Sequence, residues 1–262
     1  LHLGKMDYLY DKVQLYDTLK NIVQGRGLPQ HLTGIQEDLK DIEHNMLHFL
    51  DNHDEQRLAS PEFAGDAKKG KPLMVVSATI SSSPTMIYFG QEVGEPGALD
   101  AGFGKHSRTS IFDYVGVPHH QRWMNGGKFD GGQLKPEEKE LRDFYKRLLN
   151  FTIKSDALMG EFLSLQEENL GANLGYDFGL YSFVRWSEKE KLVIITNFNQ
   201  NTAVNCEVIV PADVVKKMNL KDGSFVMKDQ LYGNSQSELK ISNGVGKFKL
   251  SIQPGESFIY KL

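Results

Sequence analysis

The chain has 262 residues, 40% of them hydrophobic and 24% charged, with a formal charge of −4 at neutral pH. That length buries the core of one large domain or two ordinary ones. With no Lys/Arg-rich run to form the clustered basic face that phosphates require, nucleic acid is excluded as a partner, and neutral or polar small substrates fit better. No run approaches the ~18 apolar residues of a membrane span, and the single cysteine, Cys206, has no partner for an internal disulfide. The chain opens with Leu1-His2-Leu3 and no basic-then-apolar leader. That implies either that a targeting segment has been removed or that the chain starts within a longer protein.

Up to about residue 158, short apolar runs alternate with helical patterns, the signature of βα units on a parallel sheet. Met6 to Tyr10 is extended and aromatic, and Val13, Leu15, Tyr16, Leu19 and Ile22 follow at helical spacing as far as Gly25. Gln36 to Glu43 is polar and helix-compatible, and Met46 to Leu50 is an apolar strand. Pro72 to Ile80 predicts a buried helix, and Thr85 to Phe89 a third strand that runs into Gly90-Gln91-Glu92. Residues 93 to 133 are glycine-rich and aperiodic, which predicts a long functional loop. Pro136 to Lys154 is the clearest helix, with Pro136, Glu137 and Glu138 in its first turn and an apolar stripe of Leu141, Phe144, Tyr145, Leu148 and Leu149.

From about residue 160 the period becomes alternating. Tyr181–Trp186, Leu192–Phe198, Val204–Val210, Ser224–Lys228, Gly246–Ile252 and Ser257–Leu262 predict strands, separated by turns such as Lys221-Asp222-Gly223 and Asn243-Gly244. Some hundred residues of this kind make a module of β-sandwich size. The boundary is placed at Met159-Gly160, giving regions 1–159 and 160–262.

The most informative segment is His48-Phe-Leu-Asp-Asn-His-Asp-Glu-Gln-Arg57, a strand that stops at a cluster of ionisable groups, as strands do at the catalytic edge of barrels and α/β sheets. Phe49-Leu50-Asp51-Asn52-His53-Asp54 with Arg57 resembles the seventh-strand motif of the α-amylase family, glycoside hydrolase family 13. Met6 to Lys12 with Leu15-Tyr16-Asp17 resembles the sixth strand and its helix, and Ile87-Tyr88-Phe89-Gly90-Gln91-Glu92 the eighth-strand signature. Residues 160–262 resemble the C-terminal antiparallel domain. The fold class implied is α/β plus all-β: the last three βα units of a (β/α)8 TIM barrel, then an antiparallel β-sandwich.

The family mechanism retains anomeric configuration with two carboxyl groups roughly 5 Å apart, one a nucleophile and one an acid/base. The resemblance gives Asp54 the role of a third carboxylate that stabilises the transition state, and places His53 on the same glucosyl unit. Arg57 resembles the arginine that follows this motif, orienting Asp54 or lining the cleft. The family's nucleophile lies in Gly-x-Arg-x-Asp and its acid/base Glu ends the fifth strand; neither pattern stands in this sequence. The expectation is therefore the C-terminal portion of an enzyme acting on α-glucans or maltooligosaccharides, inactive as isolated. Alternative readings are a non-catalytic carbohydrate-binding module and a glucosyl transferase or isomerase of the same family. An open three-strand sheet also predicts self-association, or packing with the missing N-terminal barrel half.

Other residues have plainer readings. Asp51 and Asn52 support the turn, and Gln91 and Glu92 either pin the barrel or face the cleft. Trp123 stacks on a sugar ring or joins Tyr88 and Tyr114 in packing, and Trp186 belongs to the sandwich core. Of Tyr8 and Tyr10, strand alternation lets only one face inward. His119-His120 lacks a third ligand at suitable spacing, which leaves an exposed loop. Calcium is common in α-amylases, but its ligands come largely from a segment after the third strand that has no counterpart here, and Asp38, Asp41 and Glu43 lack calcium-loop spacing. No cofactor or metal is expected. Polysaccharide-degrading relatives are often exported and oligosaccharide-processing ones often cytoplasmic, so the resemblance fixes no localisation.

Overall fold

In the computed structural model, residues 3–98, 107–109, 117–172 and 174–262 are described. Tyr114, a packing candidate, lies outside them, as do residues 99–106 and 110–116 of the predicted 93–133 loop. Three short strands, β1 (Leu9–Tyr10), β2 (Met46–Phe49) and β3 (Thr85–Met86), form a parallel sheet in that order, with Leu9 opposite Met46 and His48 opposite Thr85. β3 is shorter than the predicted Thr85–Phe89 because side chains take the main-chain groups a ladder would use. The Phe89 carbonyl accepts from Arg57, and the Tyr88 N–H donates to Gln91 Oε1.

Helices follow the strands. After β1, the Asp11 carboxylate accepts from Leu15 N–H and caps a π turn at Lys12–Tyr16, which leads into α1 (Asp17–Val23). α2 (His31–Leu39) starts before the polar Gln36 and ends short of Glu43, because Leu32 and Ile35 supply its buried face. α3 (Lys71–Thr79) carries Pro72 in its first turn and buries Leu73, Met74, Val75 and Val76 in succession, as its unbroken apolar run predicts. Within the predicted loop, Pro118 opens a helix, α4 (Pro118–Met124), so His119 and His120 are half-buried on a helix rather than in an exposed loop. α5 (Pro136–Thr152) buries Leu141, Phe144, Tyr145 and Leu148, the predicted stripe.

The remaining elements are β4 (Glu161–Ser164), α6 (Gln166–Gly171), β5 (Leu180–Trp186), β6 (Lys191–Asn197), β7 (Val204–Val210), α7 (Ala212–Lys217), β8 (Gly223–Asp229), β9 (Gln236–Ser242), β10 (Val245–Ile252) and β11 (Ser257–Lys261). Where a sandwich of two sheets is expected, these strands make one curled, mostly antiparallel sheet in the order β4-β5-β6-β11-β8-β9-β10-β7. The reason lies in β11, which bonds to β6 on one side and β8 on the other and so joins what would be two sheets. Inward residues Val184, Val193, Ile195, Val208, Leu239, Phe248 and Leu250 share one apolar cluster, against which half-buried Trp186 packs. The outer edge of β7 is sealed by α6: Asn169 Nδ2 donates to the Ile209 carbonyl at 2.9 Å, and Asn169 Oδ1 accepts from Ile209 N–H at 2.7 Å.

A second cluster joins the two sheets. Phe49 of β2 and the adjacent Leu50, Met74 and Val75 of α3, and Phe144 and Leu148 of α5 pack together with Phe183 of β5, Ile194 of β6 and Ile259 of β11. Buried Arg185 adds polar links, donating to the carbonyls of Ile80 (2.7 Å), Leu158 (2.6 Å) and Gly160 (3.0 Å). Burial pushes its guanidinium pKa down to about 10.

Candidate active site

The carboxyl ends of the three parallel strands bring Asp11, Asn52-His53-Asp54 and Phe89-Gly90-Gln91 to one edge of the sheet, with the middle cluster on the central strand. The turn after β2 is held by Asn52, which is buried and whose Oδ1 accepts from the N–H groups of both Asp54 and Glu55 at 2.8 Å. This is an Asx turn, in which a short amide side chain replaces a main-chain acceptor. It leaves the Asp54 carboxylate 75% exposed, with the His53 imidazole, 40% exposed, beside it at 3.2 Å. An accessible carboxylate next to a half-exposed imidazole can accept hydrogen bonds from hydroxyl groups and stabilise nearby positive charge.

Arg57 is fully buried and pairs with Asp51, not with Asp54. Its Nη1 lies 3.3 Å from Asp51 Oδ2 and donates to the Phe89 carbonyl at 2.8 Å, while Nε donates to Thr109 Oγ1 at 3.0 Å. The guanidinium carbon sits 4.5 Å from the Tyr88 ring centre and 5.0 Å from that of Phe89, a cation–π arrangement on both. Asp51 also accepts from Leu58 N–H. Arg57 thus ties the turn carrying Asp54 to the segment after β3 and to Ser107–Thr109, its own N–H donating to the Ser107 carbonyl. Burial pushes the Asp51 pKa up to about 6 despite the neighbouring guanidinium.

Trp123 packs within an aromatic cluster. Its indole stacks on His120, with centroids 5.6 Å apart, meets the Phe129 ring at 5.8 Å and lies 5.2 Å from the Arg142 guanidinium carbon. His120 in turn packs edge-on to Phe89 at 5.2 Å, so a ladder of rings connects Trp123 to the Arg57 anchor. Gln91 is buried and donates to Tyr145 Oη at 3.1 Å, pinning the end of β3 to α5. Tyr8 and Tyr10 are both substantially exposed, and Tyr10 packs edge-on against Phe49.

Two buried groups at this edge escaped the sequence reading. His48, inside β2, places Nε2 3.7 Å from Asp11 Oδ2 and Nδ1 2.7 Å from the Ser77 carbonyl. Burial holds the Asp11 pKa above, and the His48 pKa below, their ordinary values. Glu95 accepts from Gly97 N–H and from His119 N–H, joining the segment after β3 to the start of α4. The only sequence signal was a His interrupting an apolar strand and a lone Glu among glycines. Among the described residues, no three His, Cys, Asp or Glu gather as a metal-ligand set, and no helix is long and apolar enough to cross a membrane.

Solved structures that match this fold include α-amylases and related enzymes. A noncanonic maltogenic α-amylase, AmyB from Thermotoga neapolitana, matches 99% of this chain over 51% of its own, with a TM-score of 0.66 and 14% identity. AmyP, solved in complex with maltotriose, matches 97% of this chain over 50% of its own, with a TM-score of 0.64 and 18% identity. A gamma-CGTase from alkalophilic Bacillus clarkii matches 95% of this chain over 31% of its own, with a TM-score of 0.62 and 14% identity. The chain shares its fold with the α-amylases. It spans about half the length of AmyB and AmyP. No protein-family model matches its sequence.

Proposed function

We propose that this chain is the C-terminal portion of an α-amylase-like retaining glycoside hydrolase acting on α-glucans or maltooligosaccharides. One observation carries the reading: an exposed carboxylate, Asp54, paired with His53 at the carboxyl end of the central parallel strand, within an α-amylase fold. In this role Asp54 holds sugar hydroxyls and stabilises an oxocarbenium-like transition state, and His53 bonds the same sugar unit. Arg57 is a positioning residue, acting through Asp51 and the Phe89 carbonyl. Trp123 offers a ring edge to a sugar at the rim, backed by His120. The maltotriose bound by AmyP supports an oligosaccharide as the ligand.

The nucleophile and acid/base belong to a barrel half outside this sequence. That half packs along the free edge of β1, where Met6, Tyr8, Leu9, Tyr10 and Val13 are exposed. The 262-residue chain is therefore inactive alone, and it self-associates through this edge when the complement is missing. Incubation with a chromogenic maltooligosaccharide tests the first point: no turnover is expected, and hydrolysis at an enzyme-like rate that is lost in Asp54→Asn overturns it. Light scattering tests the second, since a monodisperse monomer at high concentration removes the self-association. In the longer protein, Asp54→Asn is expected to lower kcat by orders of magnitude. The match to a gamma-CGTase favours glucosyl transfer as the second reading, which product analysis of that longer protein separates from hydrolysis.

A further inference from the structure

β4 and β7 stand at the two ends of the curled sheet, and α6 seals only the β7 edge. Beside β4 lies an open groove of about 590 Å³ between α2, β4 and the starts of α6 and α7. Among the described residues, β4 bonds only to β5. Leu165 N–H donates to the Ser182 carbonyl at 3.0 Å, and the register sets Leu163 opposite Val184 and Glu161 opposite Trp186. In an antiparallel pair, alternate residues turn their main-chain groups to opposite edges. The N–H and C=O of Phe162 and Ser164 therefore point away from β5, and among the described residues nothing bonds to them.

The groove is acidic. Glu37, Glu161, Glu167 and Glu168 are exposed along it, and among the described residues none of the four forms an ion pair. Asp213 adds a fifth exposed carboxylate, paired with Lys217 at 3.8 Å. Of the bases, Lys40 stands at the rim and Arg185 is buried with its Nη atoms bonded to main-chain carbonyls. Glu43 is held by Ser82. Two copies pairing through β4 would set this rim against itself, so the charge selects against a second copy and for a basic partner.

We propose that this groove binds an extended lysine- or arginine-rich segment of another protein, which adds a strand along β4. Its main chain bonds Phe162 and Ser164, and its alternate basic side chains reach Glu161, Glu167 and Glu168. Strand addition of this kind takes affinity from main-chain bonds and specificity from alternate side chains. Four residues of β4 span roughly 13 Å, enough to seat a peptide of about seven residues with its ends free.

The test is fluorescence anisotropy of the full 262-residue chain with a labelled seven-residue peptide alternating lysine and valine. Saturable binding is expected, weakening as salt rises. N-methylation of every second peptide residue should raise Kd at least about ten-fold by removing the strand bonds, and Glu161→Lys with Glu168→Lys should raise it by a similar factor. Both positions are exposed, so the double variant should melt with the parent. A glutamate–valine peptide should not bind. No saturable binding up to millimolar peptide overturns the proposal, as does equal affinity for the N-methylated peptide or for the double variant.

Discussion

The two sheets are stabilised by different means. The parallel sheet that carries Asp54 has strands of two, four and two residues, and its loops are held by buried polar groups: Arg57 on Asp51, Asp11 beside His48, Glu95 on two amides. The antiparallel sheet has strands of up to eight residues, long ladders and an apolar interior. A region that must present a carboxylate to water cannot close over it with hydrocarbon, so its backbone is positioned by directional bonds. The contrast teaches that mutations in the first region act through charge and hydrogen bonding, and those in the second through burial and ladder continuity.

The strongest way to break the contrast is Arg57→Met. It leaves the Asp51 carboxylate buried without its cation, and should cost about 3–5 kcal/mol in urea denaturation, more than hydrophobic burial by the methionine returns. A loss below about 1 kcal/mol would mean that the anchor is dispensable. The second effect is pH-dependent. The Asp51 pKa is raised on folding from 3.8 to about 6, so the folded state favours the protonated acid. Its contribution is fully present below pH 3.8 and is lost as pH rises through about 6. Relative to Asp51→Asn, which does not titrate, the parent should therefore lose up to about 3 kcal/mol between pH 4 and 7. A difference that stays flat over this range refutes the assignment.

On the antiparallel side, Asn169→Ala removes the clip on β7 and leaves the Ile209 amide and carbonyl unbonded. A cost of about 1–3 kcal/mol is expected, with faster hydrogen exchange confined to the β7 edge. Exchange rising equally in both sheets would contradict a local role. The smallest effect is Asn52→Ala, which removes the Asx turn under Asp54 for about 1 kcal/mol. Its signature should be a shift in the His53 imidazole NMR resonances at nearly unchanged melting temperature; unchanged resonances would show that the turn holds its shape without Asn52.

Legibility in the sequence follows the same division. α5 and β7 were readable because their periodicity is strong and local: Pro136 and two glutamates open one, and apolar residues bracket the other. β9 was missed because Gln236–Ser242 holds only Leu239 and Ile241 among polar and charged residues, so its strand character comes from pairing with β8 and β10. β4 was missed for lack of length, and α4 because the surrounding glycines masked Pro118 as a helix start. The Asn52-His53-Asp54 turn was visible as a strand ending in ionisable residues. The interior position of Arg57 was not, since its partners Phe89 and Thr109 are distant in sequence and no pattern within the segment announces burial. The single sheet was equally hidden, because it depends on where the last strand inserts.

That last strand has a temporal consequence. Ile259 of β11 belongs to the same cluster as Phe49, which immediately precedes the Asp54 turn. As the chain leaves the ribosome, the segment around Phe49 emerges some two hundred residues ahead of Ile259 and cannot complete its packing until residue 259 has followed. Maturation of the Asp54 turn therefore waits on β11, and a nascent chain stalled before β11 would display the His53–Asp54 pair on an unfinished support.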